Sequence, residues 1–314
     1  MNIIKNRYLY FLISLLVIVP GIVFMGINWA QNPQVGPLPL GIDFRGGSLL
    51  EVQFEGARPE VSQVAAIYAE LSTDEQSLND PIIQPLGEDA YSIRSKTMTD
   101  ETKGEIVSKL EAFGSKVTVL NFTSVSASIG AEVTRAAGFA ILMAAVAILI
   151  YIWWAFRSVE HPIRYGTAAI LAMLHDVFVV LGVEAMLGYF LGWEADALFL
   201  TAVLTVIGFS VHDTIVVFDR VRENSRIIRR LDYETLINHS IVQTLDRSIS
   251  TQLTVMFTLT ALALFGGDSI RHFVIILLVG IFSGTYSSIF NAAPILVVWE
   301  NQEWRNWFGR NADA

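Results

Sequence analysis

Six long apolar segments constrain the fold of this chain more than any other feature of its sequence. A helix of about 20 apolar residues crosses the roughly 30 Å hydrocarbon core of a bilayer. The segments that meet this length are residues 8–30, 136–156, 165–191, 197–218, 248–267 and 273–299. Charged residues make up only 16% of the chain, against roughly a quarter in soluble domains. The sequence therefore predicts a polytopic α-helical membrane protein with six transmembrane helices.

The distribution of lysine and arginine predicts how these helices are oriented, because cytoplasmic connections are enriched in both residues. One side of the predicted bundle carries Lys5, Arg7, Arg157, Arg164, Arg220, Arg222, Arg226, Arg229, Arg230, Arg305 and Arg310. The short connections on the other side offer only Arg271. Both termini are therefore expected in the cytoplasm. The arginine cluster after the fourth segment is either this topology signal or a site for anionic membrane lipid or a ribosomal partner.

An acidic stretch between the first two segments is predicted to form a separate domain outside the cytoplasm. Residues 31–133 hold 15 of the 30 acidic residues and 7 of the 21 basic ones. Nucleic acid is not an expected partner, because phosphate binding needs clustered Lys and Arg. The predicted layout is a first helix within residues 1–30, this domain, five further helices within residues 134–299 with a cytoplasmic loop at 219–246, and a cytoplasmic tail at 300–314.

Residue patterns inside the acidic stretch predict a small α+β fold. Apolar and polar residues alternate over 48–55, as in a strand with one solvated face. Helical spacing runs from Val61 to Leu71 and begins again after Thr99, a favourable helix N-cap, to end at Gly114. The other extended runs are residues 81–86, 90–94 and 116–122. The order βαββαβ is that of a ferredoxin-like domain, expected to dock a partner, with residues 124–130 as a hinge into the second membrane segment.

Ionisable residues inside the membrane segments mark candidate functional positions, because a charge in lipid costs at least a few kcal/mol. The third segment carries His175, Asp176 and Glu184, and the fourth carries His212 and Asp213. A rise of about 1.5 Å per residue places Asp176 near mid-membrane and Asp213 on the cytoplasmic side of the centre. Glu184 lies nearer the outer surface and is expected to extend its carboxylate toward it.

Arg247 begins the fifth segment at the same predicted depth as Asp213 and with the opposite charge. Two interpretations remain open. The two residues form a structural ion pair, or they form a proton site in which separation of the charges changes the proton affinity of the carboxylate. His175 and His212 would extend such a proton pathway, or would serve only in packing and capping.

Polar residues recur at helical spacing on three segments, which predicts that three polar stripes face one another inside the bundle. The stripes are Thr201, Thr205, Gly208, His212 and Asp219 on the fourth segment; Arg247, Ser250, Thr251, Thr254 and Thr258 on the fifth; and Ser283, Ser287 and Asn291 on the sixth. Gly280, Gly284 and Ser288 are instead assigned to close helix packing.

The sequence offers little support for an enzyme. Gly208-Phe209-Ser210 matches the short core motif of rhomboid-like intramembrane proteases, yet the one candidate base on a later segment is His272, near the outer surface. Nucleotide-binding and zinc-protease signatures do not occur in the sequence, and neither does cysteine. No enzymatic activity, cofactor or metal site is therefore predicted.

Four short runs carry a family resemblance. They are GIDFRGG at residues 41–47, IGFSVHDTIVVFDRVREN at 207–224, LDRSI at 245–249 and LFGG at 264–267. The first looks like a D-F-R-G-G turn, carried here by Asp43, Arg45, Gly46 and Gly47. The second is similar to D-T-I-V-V-F-D-R-I-R-E-N and is highly specific. Together they resemble the SecD/SecF family of protein-export membrane proteins, some members of which carry asparagine in place of His212.

The resemblance implies a bacterial cytoplasmic membrane protein of the resistance-nodulation-division superfamily. Such a protein works with SecD and the SecYEG channel and uses the proton-motive force to help translocate unfolded polypeptides. The resemblance assigns proton passage to Asp213 and Arg247, and His212, Asp176 and His175 are the further candidates. Related transporters have two similar halves, so one set of six helices without an internal repeat would be one half. The alternatives are a stand-alone proton-driven exporter of small molecules and a passive scaffold for the channel, which would not need a buried Asp213.

Overall fold

The structure describes most of the chain and divides it into two compact units. The computed structural model describes residues 2–31, 33, 36–56, 58–73, 78–79, 81–113, 116–159, 161–228 and 230–303, without the side chains of residues 268 and 269. Gly114, Arg229, Arg305, Arg310 and most of the predicted tail lie outside the described residues. One unit is Leu40–Phe139 with Glu194–Ala197, here called the inserted unit, and the other, here called the membrane unit, holds the remaining residues.

Six of the described helices are long and apolar enough to cross a membrane, which confirms the predicted number of spans. The helices are α1 (Arg7–Gln31), α2 (Ile42–Arg45), α3 (Val61–Glu70), α4 (Asp100–Glu111), α5 (Ala127–Ala155), α6 (Pro162–Leu191), α7 (Ala197–Ile227), α8 (Tyr233–Phe265), α9 (Asp268–Ser287) and α10 (Ala293–Glu300). The spans are α1, α5, α6, α7, α8 and the continuous run from α9 into α10.

A short π-helix, Ser288–Ala292, joins α9 to α10 within the last span. Pro294 follows it in the first turn of α10. Proline has no N–H to donate to the carbonyl four residues earlier, here that of Phe290, so the regular hydrogen-bond ladder is interrupted at this point. Such widened turns occur frequently at functional sites.

The inserted unit has the predicted ferredoxin-like topology. Among the described residues its strands are β1 (Gly47–Glu55), β2 (Ile82–Leu86), β3 (Ala90–Ser95) and β4 (Lys116–Val125). They form an antiparallel sheet in the order β2-β3-β1-β4. The alternating residues Leu50, Val52 and Phe54 of β1 are buried with apolar residues of α3 and α4. Thr99 accepts a hydrogen bond from the backbone of Thr102, which confirms it as the N-cap of α4.

The predicted hinge at residues 124–130 is wrong. Strand β4 continues to Val125 and α5 begins at Ala127. The small polar residues that suggested a hinge have partners in this arrangement: the Ser124 hydroxyl lies 2.8 Å from that of Ser48 and donates to the Met98 carbonyl. The strand therefore passes into the helix across a single residue.

The segment predicted as a cytoplasmic loop, residues 219–246, is mostly helical. Helix α7 extends to Ile227 and α8 begins at Tyr233. The Asn224 amide nitrogen lies 2.9 Å from both Ser240 Oγ and Gln243 Oε1. Polar contacts of this kind hold the two helices together beyond their apolar portions, which hydropathy alone does not reveal.

The glycine pair of the family motif closes a tight turn between α2 and β1. Gly46 and Gly47 have φ values of 77° and 133°, which favour glycine because a side chain would be strained there. A Cβ atom at Gly46 would lie 2.6 Å from the Cα atom of Ala127. The turn therefore requires glycine both for its backbone conformation and for its approach to the start of α5.

We expect Gly46→Ala to loosen the inserted unit much more than Gly87→Ala. Both glycines have positive φ, but a Cβ at Gly87 would meet nothing within 4 Å. The control should cost about 1 kcal/mol for its backbone conformation, and Gly46→Ala about 3 kcal/mol or more because backbone atoms must also move. Hydrogen exchange of peptides from β1 and β4 in the full chain measures this. Equal protection in the two variants would contradict the account of the turn.

Candidate functional site

A buried carboxylate joins α6 to α7 and α9. The side chain of Asp176 has no exposed surface. It accepts hydrogen bonds from Ser210 of α7 at 2.5 Å and from Ser283 and Ser287 of α9, each at 2.6 Å. Nδ1 of His175 lies 3.0 Å from the Oδ1 atom of Asp176. Several donors on one carboxylate stabilise its charge in place and hold the helices that supply them.

Ser210, the serine of the protease-like motif, belongs to this cluster. It is 1% exposed, and its hydroxyl donates to the Asp176 carboxylate. A serine nucleophile needs a base beside it and access for a substrate, and the site of Ser210 provides a structural contact instead. Its helical position in α7 opposite Asp176 could not be read from the motif.

A second carboxylate, Asp213 of α7, is partly buried and contacts two other elements. Its Oδ1 atom accepts a hydrogen bond from Ser248 of α8 at 2.8 Å, and its Oδ2 atom accepts one from Ser288 of the π-helix at 2.6 Å. Ser288 was assigned from sequence to helix packing alone, and that assignment is wrong. The widened turn carries its hydroxyl to the carboxylate.

A small cavity, lined by both polar and apolar side chains, lies beside Asp213. Its volume is about 20 Å³ and its lining includes His212, Asp213, Thr251, Gln252 and Thr285. This is room for about one water molecule, which needs polar neighbours of this kind. The Nε2 atom of Gln252 is buried without a hydrogen-bond partner among the described residues, while its Oε1 accepts a hydrogen bond from Thr285 at 2.6 Å. The cavity therefore offers a polar position next to the carboxylate.

The structural ion pair considered for Asp213 and Arg247 is not present among the described residues. The side chain of Arg247 is exposed, and the next residue, Ser248, contacts the carboxylate. Successive residues of a helix differ in direction by about 100°, so equal depth in the membrane did not determine which one faces α7. His212 is also exposed, although it lines the small cavity.

Only part of the predicted arrangement of polar stripes is correct. Ser283 and Ser287 lie inside the bundle, and Asn291 exchanges hydrogen bonds with Ser14 of α1. The members of the other two stripes that are exposed are Thr201, Gly208, His212, Asp219, Arg247, Ser250, Thr251, Thr254 and Thr258. We call these residues the exposed polar face of α7 and α8, and they lie on the surface of the membrane unit. The prediction that all three stripes face one another is therefore wrong.

His175 lies between Asp176 and an apolar cavity. The cavity has a volume of about 410 Å³ and is lined by residues of α1, α6, α8 and α9. Nε2 of His175 is buried without a partner among the described residues, and its ring stacks on Tyr286 at a centroid distance of 6.2 Å. The histidine thus places one nitrogen at the Asp176 carboxylate.

The prediction that Glu184 extends its carboxylate to the surface is wrong. Its side chain has no exposed surface and lies 2.7 Å from Nε2 of His272 on α9. The sequence spacing did not indicate this contact, because the two residues belong to separate spans.

The family-motif residues Arg45 and Gly46 line a cavity in the inserted unit. Asp43 accepts a hydrogen bond from the Ala197 amide at 2.9 Å. Its carboxylate thereby caps the N-terminus of α7. The cavity, of about 640 Å³, is lined by Arg45 and Arg94 among others. Arg94 pairs with Glu194 at 2.6 Å. Burial raises the pKa of Glu194 above its ordinary value, and the guanidinium of Arg94 offsets part of this effect.

The fold and these contacts define a class: multi-pass membrane proteins with a ferredoxin-like insert after the first span and carboxylates held between later spans. The chain belongs to the SecD/SecF family of protein-export membrane proteins. Residues 105–302 match the C-terminal family model of protein export membrane protein SecD/SecF. Residues 35–57 match the SecD/SecF GG motif.

Relatives of known name agree with this membership. The chain is 52% identical to protein translocase subunit SecF of Anaerolinea thermophila, over 99% of this chain and 98% of that one. It is 44% identical to that of Thermobaculum terrenum, over 98% and 97%. The crystal structure of SecDF of Thermus thermophilus, a translocon-associated membrane protein, matches with a TM-score of 0.77 and 32% identity. The match covers 96% of this chain and 39% of that longer one.

These relatives favour an accessory role in the Sec machinery over a stand-alone exporter of small molecules. The similar proteins are translocase subunits by name. In the SecDF structure the matching region is part of a longer chain.

Proposed function

We propose that this chain pairs with a SecD-type subunit in the bacterial cytoplasmic membrane and uses proton flow to promote translocation of unfolded polypeptides through the SecYEG channel. The observation that carries the proposal is the position of Asp213, a titratable group held by hydroxyls of two other elements beside a small cavity. Proton uptake there changes contacts between helices. Export of a secreted protein with and without an uncoupler, in wild type and in Asp213→Asn, tests it.

The chemistry of Asp213 supports coupling between a proton and helix movement. The ionised carboxylate accepts from both Ser248 and Ser288, whereas a carboxylic acid carries an O–H of its own, so at least one of these hydrogen bonds weakens or reverses its direction. A hydrogen bond to a charged group contributes about 1.5–3 kcal/mol. A proton crossing 100 mV brings about 2.3 kcal/mol. The two energies are comparable, so a proton can bias the membrane unit between two arrangements.

The exposed polar face of α7 and α8 supports a partner subunit. It includes Arg247 at the start of the fifth membrane segment, and a charged side chain is unfavourable wherever it lies against lipid. We assign this face, apart from Asp219, whose charge is paired with Arg222, to the SecD-type subunit and the apolar faces of the spans to lipid. In this arrangement Arg247 and His212 act at the interface, beside Asp213, while His175 and Asp176 hold the interior of the unit.

We assign contact with the translocating polypeptide to the inserted unit. Among the described residues, β2 and β4 are the edge strands of its sheet. Edge strands expose backbone groups that bind extended chains, and β4 exposes the apolar side chains of Val119 and Leu120. An unfolded polypeptide supplies both extended backbone and apolar side chains.

The orientation follows from the positive-inside rule and is tested with reporter fusions. A reporter that is active only outside the cytoplasm should work when fused after Leu191 or Gly267, and should fail after Arg230. The three fusion points follow the third, fourth and fifth spans, so together they report on both sides of the membrane. The reverse pattern would contradict cytoplasmic termini.

A further inference from the structure

The buried pair formed by Glu184 and His272 requires an explanation beyond packing. Oε2 of Glu184 lies 2.7 Å from Nε2 of His272. The other carboxylate oxygen, Oε1, is buried without a hydrogen-bond partner among the described residues. An ionised carboxylate with an unsatisfied buried oxygen is unfavourable. One oxygen of the Glu184 carboxylate therefore remains available for a proton or another donor.

His272 connects this carboxylate to the edge of the membrane unit. Its side chain is 18% exposed, whereas that of Glu184 is 0% exposed. The imidazole packs against Trp193 at a ring-centroid distance of 4.7 Å and against Phe199 at 6.4 Å, and these contacts fix its orientation. Imidazole can accept a proton on one nitrogen while it donates from the other.

The other side chains around the pair do not supply a compensating charge. From α1, Asn28 uses its amide nitrogen to donate to the Ala185 carbonyl at 3.1 Å. From α7 the contact is the apolar ring of Phe199. On α9 the neighbouring cation, Arg271, has an exposed side chain. Within the described part of the chain, the contact of the Glu184 carboxylate is with His272, which is charged only when protonated, and not with a lysine or arginine.

Apolar packing lies between the pair and the Asp176 cluster. Gly280 lies on α9 between His272 and Ser283, and a Cβ there would come within 2.2 Å of Val206 and 3.0 Å of Val180. Both valines are buried, at 1% and 0% exposure. Helices α6, α7 and α9 are thus in close apolar contact between the two carboxylates.

We propose that Glu184 and His272 form a proton-binding site at the end of the membrane unit that carries the α6–α7 connection. In the loading step, Nδ1 of His272 accepts a proton from hydronium, which leaves as water, and Nε2 passes its proton to Oε2 of Glu184. The imidazole is again neutral and the carboxylate has become a carboxylic acid. The role of this site in transport rests on the proposed function, but proton binding itself does not depend on Asp213.

Infrared difference spectroscopy of the full chain in lipid nanodiscs tests the site. Acidification of the wild type should produce a carboxylic-acid C=O band that is lost in Glu184→Gln. Glu132→Gln, a control at an exposed position of α5, should keep that band. His272→Gln should shift its midpoint by about one pH unit or more, while His239→Gln, at an exposed position of α8, should leave the midpoint unchanged.

Two results would overturn the proposal: a band that persists in Glu184→Gln, or a wild type without a titrating band. If Glu184→Gln does not fold, wild-type chain with ¹⁵N-labelled histidine, of which there are 5 in the sequence, gives a second readout. The Nε2 signal of His272 should change with the midpoint of the carboxyl band, and an invariant signal would also overturn the proposal. Asp213→Asn should retain the band, so failure of this site and failure of the proposed function are distinguishable.

Discussion

Asp213→Asn should abolish the proton-driven part of export and leave assembly with SecD intact. Asparagine preserves the size of the side chain but cannot take up or release a proton. A proton crossing 100 mV contributes about 2.3 kcal/mol, a bias of roughly fifty-fold between two arrangements, and the variant loses that bias. In inverted membrane vesicles, its rate of translocation should equal the wild-type rate measured with an uncoupler.

Asp219→Asn is the matched control for this experiment. Asp219 lies on the same helix, but it is exposed and pairs with Arg222. Its substitution should preserve both the rate and the sensitivity to uncoupler. Wild-type export with full uncoupler sensitivity in Asp213→Asn would contradict the assignment and would transfer the proton role to Asp176 or to the partner subunit.

Asp176→Ala should have a different and larger effect, on the stability of the membrane unit itself. The substitution removes the acceptor shared by Ser210, Ser283 and Ser287 in a fully buried position. Each buried donor left without a partner costs about 1–3 kcal/mol, so we expect a loss of about 3 kcal/mol or more. Thermal unfolding of the purified chain in detergent should show this as a clearly lowered midpoint.

Two control variants make the stability prediction specific. Asp219→Ala applies the same substitution at an exposed position of α7 and should change stability by less than about 0.5 kcal/mol. Ser283→Ala removes one donor and should cost about 1 kcal/mol. If Asp176→Ala unfolds at the same temperature as Asp219→Ala, the carboxylate does not hold α6 against α7 and α9.

Hydropathy predicted the spans and alternation predicted the strands, because both patterns reflect which side chains of an element face lipid, water or the protein core. They failed where polar contacts decide the structure. Asn224, Ser240 and Gln243 extend α7 and α8 through residues that were predicted to form a loop. Ser124 belongs to β4, although its small size suggested a hinge. In each case the hydrogen-bond partner is distant in sequence, and local composition does not identify it.

The candidate site was predicted in part for a related reason. The stripe of Ser283 and Ser287 correctly indicated an interior face of α9, but helical period does not reveal which neighbour that face contacts. The serines meet Asp176, whereas the expected partner of Asp213, Arg247, faces outward. Pro294 is a signal for the irregular turn that the sequence-based prediction did not use, because its missing N–H interrupts the helix before it. Glu184 could not be placed without knowing that α9 brings His272 to it.

Proton uptake by proteoliposomes tests the central claim most directly. Vesicles that contain this chain with its SecD-type partner would receive an imposed membrane potential, and a pH-sensitive dye would report the internal pH. We predict rapid proton movement with the wild-type chain and with Asp219→Asn, and movement at the level of protein-free vesicles with Asp213→Asn. Proton movement in Asp213→Asn at the wild-type rate would contradict the account.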